Sequence, residues 1–198
     1  IILIADRVGT KCIIHLFLFT FPDDILKSCC KTCKRNDSFC ALLFHFINTY
    51  INHTEVIHSY EGFVSQAAKG GYDAYVVGSD QCWRPCYNAF LPSMFLDFVQ
   101  DKQVKRIAYA ASFGTDKWEF TPQQTAVCVP LAKKFDMVSV REDSGVKLCK
   151  EYLGVDAVHV LDPTMLLTKE DYVQLIEQEK EPKSSGTLFN YILDPDEK

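Results

Sequence analysis

The sequence lacks the motifs of several large enzyme classes. It contains no GxGxxG and no GxxxxGK[ST], so the usual supports for dinucleotide binding and for P-loop nucleotide binding are missing. It also has no HExxH motif of zinc proteases and no GxSxG turn of serine hydrolases. The net charge is −5 and no long basic run occurs, which argues against nucleic acid as a partner.

Long apolar runs are absent too. No apolar segment approaches the roughly 20 residues that a membrane-spanning helix needs. The N-terminal CIIHLFLFTF is short and lacks the basic region and cleavage site of a signal peptide, so a buried segment is favoured. The chain starts with Ile and ends with ILDPDEK, which is typical of a strand running into a turn, so we expect a piece of a longer protein.

Cysteine, in contrast, is abundant, with nine residues. A structural zinc site usually has two ligand pairs, and no second CxxC follows the segment CCKTCKRNDSFC, so free thiols are favoured over zinc. We predict that Cys128 and Cys149 are small apolar residues of helices. The cysteines of the CCKTCKRNDSFC segment are Cys29, Cys30, Cys33 and Cys40.

Strand and helix patterns alternate from residue 72 to residue 193. Short apolar runs (DAYVVGS, RIAYAASFG, DMVSVRE, AVHVLDPT, TLFNYIL) predict strands buried on both faces. The intervening segments TPQQTAVCVPLAKKF, EDSGVKLCKEYLGV and TKEDYVQLIEQE predict helices, the first capped by Thr121 with Pro122 at its first position. This alternation predicts an α/β fold with a Rossmann-like parallel sheet and right-handed crossovers.

The chain is predicted to have three regions. Residues 1–60 are expected to be irregular or helical, with a helix over Phe39–Ile51. Residues 61–180 form the Rossmann-like domain. Residues 181–198 are expected to be a linker and the first strand of a second domain, because EQEKEPKSSG (177–186) begins with charged residues, contains Pro182 and ends in small residues.

Polar residues follow four of the predicted strands. In an open parallel sheet, ligands bind beyond the carboxyl ends of the strands, so we expect these four sets to meet at one edge. The sets are Gly78–Gln81, Ser112–Gly114, Arg141–Ser144 and Asp162–Thr164.

Arg141 is the strongest binding candidate among them. It ends a strand and precedes a helix N-terminus, where backbone amides and the helix dipole favour anions. Its guanidinium can grip a phosphate or carboxylate through two parallel hydrogen bonds. The alternative is an ion pair with Glu142 or Asp143.

Two further positions permit two interpretations each. Asp80 could bind sugar hydroxyls or act as a base, or it could cap the next turn. Trp83 could stack on a sugar ring or pack in the core. By contrast, Asp162 before Pro163 most simply fixes a turn, and His159 is expected to be a core residue.

Several segments together resemble the polysaccharide pyruvyl transferase family. They are YDAYVVGSDQCWRP, FLDFV, KRIAYAASFG, FDMVSVREDSGVKLCKEYLGVDAVHVLDPTML and EDYVQLIE, and they span about residues 60 to 193. The GSDQ-x-W and SVRE pieces in this order and spacing are specific to the family. The resemblance implies two Rossmann-like domains facing each other across a cleft, as in GT-B glycosyltransferases, with this chain forming the N-terminal portion.

The resemblance also implies an activity. The family transfers an enolpyruvyl-derived group from phosphoenolpyruvate to two hydroxyls of a sugar or lipid-linked oligosaccharide, without a cofactor, in cytoplasmic synthesis of capsule, exopolysaccharide or cell-wall polymers. Arg141 would bind the donor's phosphate or carboxylate, and Asp80 would be the catalytic residue that holds the acceptor. The other substrate-binding candidates are Ser79, Gln81, Trp83, Ser112, Gly114 and Ser144.

The chain departs from the family pattern at two places. Residues 1–30 lack the opening strand and glycine-containing turn of the family, and Cys82 and Arg84 replace residues expected to be apolar and small polar. We therefore expect the chain alone to be inactive. The alternative functions are a nucleotide-sugar glycosyltransferase of GT-B type and a non-catalytic interaction module.

Overall fold

A computed structural model describes most of the chain after residue 44 and two earlier segments. The backbone is described for residues 2–8 and 11–17, and backbone with side chains for 45–46, 48–54, 57, 59–69, 71–88, 90–179 and 186. The chain divides into two compact units, Ile1–Pro163 and Thr164–Lys198.

The described strands form one sheet in the order β2-β1-β3-β4-β5-β6. Strands β3 to β6 are parallel to one another, whereas β1 is antiparallel to both of its neighbours. Together with the flanking helices, the parallel part confirms the predicted α/β, Rossmann-like class. The strands are β1 (Ile2–Val8), β2 (Lys11–Phe17), β3 (Ala74–Val77), β4 (Lys105–Ala111), β5 (Met137–Val140) and β6 (Val158–His159).

The helices agree with the sequence patterns after residue 60. Helix α2 has Thr121 as its N-cap and Pro122 at its first position. The side chains of Thr121 and Gln124 form a capping box. The helix continues through Pro130 to Ala132. The helices are α1 (Tyr60–Lys69), α2 (Pro122–Ala132), α3 (Asp143–Leu148, continued by a π-helical turn over Cys149–Leu153) and α4 (Lys169–Glu179).

The N-terminal region differs from its prediction. Residues 1–60 were expected to be irregular or helical, yet β1 and β2 lie there as an antiparallel pair. The two Ile-rich segments are separated by two residues in the sequence, which is the spacing of a β-hairpin. Residues 45–46 and 48–50 are helical, as predicted. The predicted strand TLFNYIL and most of the proposed linker lie outside the described residues, so the bounds 61–180 and 181–198 stay predictions.

Among the described residues, only one face of the parallel strands is covered, not both as predicted. Val77 and Val140 are fully buried in the core beside the helices. On the other face, Met137 and Val158 are 68% and 64% exposed. The physical reason lies in the strand order: when parallel strands follow one another in chain order, right-handed crossovers place all connecting helices on the same side.

A cluster of aromatic rings anchors the loop after β3 to this core. Trp83 is fully buried, its ring stacks on Phe95 with centroids 4.8 Å apart, and its Nε1 donates a hydrogen bond to the carbonyl of Met94 at 2.9 Å. This structure leaves Trp83 no exposed surface with which to stack on a sugar, so the packing interpretation is the one its contacts support.

The buried cysteines behave as packing residues. Cys128 and Cys149 are fully buried, and burial raises the pKa of each thiol to about 12, which confirms their predicted apolar role. The cysteines of the segment CCKTCKRNDSFC lie outside the described residues. Within the described part, no cluster of three or more His, Cys, Asp or Glu side chains could hold a metal ion.

The second compact unit is described mainly through α4. Thr168 caps this helix, since its Oγ1 accepts a hydrogen bond from the amide of Asp171 at 3.3 Å, and Asp171 Oδ2 accepts one from the amide of Thr168 at 2.8 Å. Over the described ranges, no helix combines the length and apolar character needed to cross a membrane.

Candidate functional site

Four loops meet at the guanidinium of Arg141. Its Nη1 lies 3.2 Å from Asp162 Oδ2, after β6, and its Nη2 lies 3.2 Å from Ser112 Oγ, after β4. Asp80, after β3, approaches Nη2 with its Oδ1 at 3.9 Å. The turns that follow all four parallel strands therefore converge at one edge of the sheet, as the topology of a parallel sheet requires.

Ser112 contacts the guanidinium of Arg141 from the protein interior. It is fully buried, and its Oγ accepts hydrogen bonds from Arg141 Nη2 and from the amide of Gly114 at 3.0 Å. Its own proton is donated to Glu142 Oε1. With no exposed surface, Ser112 orients Arg141 in this structure, whereas the sequence interpretation had it contact the substrate.

Carboxylates surround the guanidinium on several sides. Besides Asp80 and Asp162, Glu142 Oε1 lies 3.8 Å from Arg141 Nε, and Glu142 Oε2 is buried with no hydrogen-bond partner among the described residues. The side chain of Arg141 is still 29% exposed, and that of Asp80 is 81% exposed. The arginine is thus held on its buried side and reachable from solvent on the side of Asp80.

The first turn of α3 uses its own amide groups. The amide of Ser144 donates to Asp143 Oδ1 at 2.7 Å, and the amide of Gly145 donates to the carbonyl of Glu142 at 3.1 Å. These two donors are therefore not free for a ligand, although the sequence interpretation had assigned anion binding partly to them. The expectation of an anion site at this edge therefore depends on the guanidinium of Arg141.

Asp80 bonds the amide of the next residue and keeps one carboxylate oxygen open. Its Oδ1 accepts a hydrogen bond from the amide of Gln81 at 2.8 Å, whereas the cap expected from the sequence would engage the amide two residues on. Its Oδ2 has no partner among the described residues, and the side chain is highly exposed.

Two glycines let the loops approach closely. Gly78 has φ +146°, and a Cβ there would lie 1.9 Å from the carbonyl oxygen of Tyr109. Gly114 has φ +66°, and a Cβ there would lie 2.0 Å from Gln81 Oε1. A side chain at Gly78 would collide with the backbone of β4, and one at Gly114 would collide with the side chain of Gln81, so the glycines set the shape of this edge.

An irregularity in β4 redirects the chain toward the site. The pairing with β5 shifts register between Ala108 and Ala111, and Ala110 adopts φ +50°. Ser139 Oγ fills the gap, accepting from the amide of Ala110 and donating to the carbonyl of Ala108, each at 3.1 Å. This bulge turns the end of β4 so that Ser112 reaches Arg141.

Sequence interpretation missed the place of His159 in this site. His159 is exposed, so its prediction as a core residue is wrong, and its Nε2 forms a hydrogen bond with the carbonyl of Arg141 at 3.0 Å. It lies on β6, the last strand of the sheet among the described residues. Asp162 and Glu142 were expected at this edge from their positions after strands, but Asp162 had been assigned to a turn and Glu142 to an alternative ion pair with Arg141.

One of three comparisons with known proteins identifies a family for this chain. A search of curated proteins and a search of solved structures gave no match. The family model described as polysaccharide pyruvyl transferase matches residues 9–197, which include all four loops around Arg141. Because that match covers nearly the whole chain, the protein belongs to the polysaccharide pyruvyl transferase family.

Proposed function

We propose that the protein transfers a pyruvyl group from phosphoenolpyruvate to two hydroxyls of a sugar, on a polysaccharide or a lipid-linked oligosaccharide. The product is a cyclic pyruvate ketal, and inorganic phosphate is released. In this proposal the chain forms one half of a two-domain, GT-B-like enzyme that works in cytoplasmic polysaccharide assembly.

The observation that supports this proposal most directly is the environment of Arg141. Its contacts with Ser112 and Asp162 orient the guanidinium, while its contact with Asp80 spans 3.9 Å. Ion pairs between exposed groups contribute little, about 0 to 1 kcal/mol. A phosphate or carboxylate of the donor can therefore displace Asp80 and still find the guanidinium held in place by the other two.

The reaction needs an anion clamp, a proton for the methylene carbon of the donor and a group that orients the acceptor. Protonation of that carbon makes the adjacent carbon electrophilic. One sugar hydroxyl adds to it and loses its proton, phosphate leaves with the electrons of the C–O bond, and the second hydroxyl closes the ring. Arg141 is the clamp in this scheme.

Asp80 is the acceptor-side residue of the scheme. Once the donor displaces it from Arg141, its carboxylate lies next to the bound anion, where the attacking hydroxyl must approach. A carboxylate in that position accepts a hydrogen bond from the hydroxyl and takes up its proton as the new C–O bond forms.

The test is the change Arg141→Ala in the full-length protein, with phosphoenolpyruvate binding measured by calorimetry. We expect binding to be lost while the protein still folds cooperatively, with a lowered melting temperature because Ser112, Asp162 and Glu142 lose their contacts with the guanidinium. Arg141→Lys keeps the charge but not the two-pronged geometry, and we expect it to retain weak binding.

The matched control is Lys105→Ala, which removes a cation from an exposed ion pair at the opposite end of β4. It should leave donor affinity unchanged. Full donor affinity in Arg141→Ala would contradict the proposal, and tighter binding of a nucleotide-sugar than of phosphoenolpyruvate by the wild type would favour the glycosyltransferase alternative.

A further inference from the structure

Arg84, one of the departures from the family pattern, ties two of the site loops together. Its Nε and Nη2 donate to the two carboxylate oxygens of Glu119 at 3.0 and 3.3 Å. Arg84 lies after β3, and Glu119 lies between β4 and α2. This bidentate ion pair therefore links the loop after β3 to the loop after β4. The guanidinium also lies over the ring of Tyr87, 5.3 Å from its centroid.

The remaining contact of Arg84 determines the orientation of an amide. Its Nη1 donates to Gln81 Oε1 at 3.0 Å. A guanidinium has donors only, so the carbonyl oxygen of Gln81 must face it and the amide nitrogen must point away. That nitrogen has no hydrogen-bond partner among the described residues. Contact with Gly114 restricts the side chain further.

The oriented amide belongs to the same edge as the anion site. Gln81 follows Asp80 in the chain, and it packs against Gly114, whose amide bonds Ser112. The adjacent ring of Tyr87 is 56% exposed. An oriented N–H donor, an exposed carboxylate and an aromatic ring are groups that suit a ring bearing several hydroxyls.

We infer that Arg84 is a positioning residue, which fixes the amide of Gln81 as a hydrogen-bond donor to an oxygen of the acceptor sugar. The inference rests on the proposed function, because it assigns this side of the site to the acceptor. In this assignment, Gln81 donates a hydrogen bond to an oxygen atom of the acceptor, and the Arg84–Glu119 ion pair holds the Gln81 side chain in position.

The first test measures ketal formation by full-length Arg84→Ala, with KM determined separately for the acceptor sugar and for phosphoenolpyruvate. We expect KM for the acceptor to rise about fivefold, the equivalent of one net hydrogen bond of about 1 kcal/mol. KM for the donor should not change. A merely structural role would lower the melting temperature without distinguishing the two substrates.

A second variant, Gln81→Glu, separates orientation from donation. Its carboxylate still accepts the hydrogen bond from Arg84, so the loop should stay intact, but it has no N–H to offer. We expect KM for the acceptor to rise at least as much as in Arg84→Ala. The double variant should show no further increase, because both changes remove the same hydrogen bond.

The outcomes also separate this inference from the proposed function. Failure of the wild type to bind phosphoenolpyruvate would remove the proposed function itself. Normal donor binding with an unchanged acceptor KM in Arg84→Ala would overturn the role of Arg84, whatever Gln81→Glu does. Lys105→Ala, which breaks a comparable exposed ion pair away from the site, is the control that should change neither KM.

Discussion

Two arginines lie near opposite ends of the parallel strands and have different surroundings. Arg106, near the amino end of β4, is buried, and its Nη2 donates to the carbonyls of Val99 and Asp101 at 2.6 and 3.2 Å. Arg141, just past the carboxyl end of β5, contacts side chains and keeps an exposed edge. A guanidinium bound to backbone carbonyls fastens a loop, whereas one held by side chains with an open edge can receive a ligand.

The comparison extends to the ion pairs at the two ends. Lys105 and Asp136, at the amino end, pair at 2.7 Å, and Asp136 also accepts a hydrogen bond from the amide of Arg106 at 2.9 Å. This ion pair joins the starts of two neighbouring strands, and each charged group has one partner of opposite charge. At the carboxyl end, one guanidinium faces several carboxylates, so an anionic ligand can replace one of them.

The largest expected effect comes from Arg106→Ala. The carbonyls of Val99 and Asp101 would lose their donor inside the protein, so we expect the free energy of unfolding to fall by roughly 2 to 4 kcal/mol. Urea denaturation measures this loss. Phosphoenolpyruvate affinity of the folded fraction should be unchanged, and a variant with full stability but no donor binding would reverse the contrast between the two ends.

The second largest effect is expected for Ser112→Ala, because this change removes the hydrogen-bond acceptor that Arg141 has on its buried side. The amide of Gly114 loses its acceptor, so stability should fall by about 1 to 3 kcal/mol, and donor affinity should fall roughly tenfold. Ser93→Ala is the matched control, since Ser93 is also a buried serine and its Oγ donates to the carbonyl of Phe90 at 2.7 Å rather than to a group of the Arg141 site. It should lower stability but spare donor affinity, and equal losses of affinity would remove the special place of Ser112.

The smallest effect concerns pH at the amino end. The hydrogen bond from Lys105, followed by that from the amide of Arg106, lowers the pKa of Asp136 below its ordinary 3.8. A lowered pKa stabilises the folded state fully above that ordinary value, and the contribution is lost as the pH falls through the folded pKa. Asp136→Asn should therefore be slightly less stable than wild type at neutral pH, by about 0.5 kcal/mol.

Thermal melts over a pH series check this expectation. The difference between wild type and Asp136→Asn should shrink as the pH drops below 3.8. A gap that widens on acidification would show that the side chain does not stabilise the fold through its charge.

That the four loops meet at one edge of the sheet was predictable from the sequence, because it follows from the topology of a parallel sheet. Once the strands after residue 72 are recognised, their carboxyl ends must lie together, and Arg141 is the cation placed there. The contacts of individual side chains did not follow in the same way. Whether Trp83 faces a ligand or the core depends on Phe95, which lies twelve residues further along, and no local pattern encodes that pairing.

Burial was harder to predict because it depends on strand order. Apolar runs such as DMVSVRE are compatible with burial on both faces, and only the sequential order of β3 to β6 leaves Met137 open. Likewise, the shift in β4 at Ala110 has no signature such as glycine. The change in backbone direction that brings Ser112 to Arg141 could therefore not be predicted from the sequence.

Gly78 and Gly114 carry a consequence for comparing related sequences. Surface loops usually diverge faster than the strands they connect. Here Gly78 lies against the backbone of Tyr109 in β4, and Gly114 lies against the side chain of Gln81, so a substitution at either position requires its neighbour to move. These two alignment columns therefore distinguish family members that keep the loop geometry around Arg141 from those that have changed it.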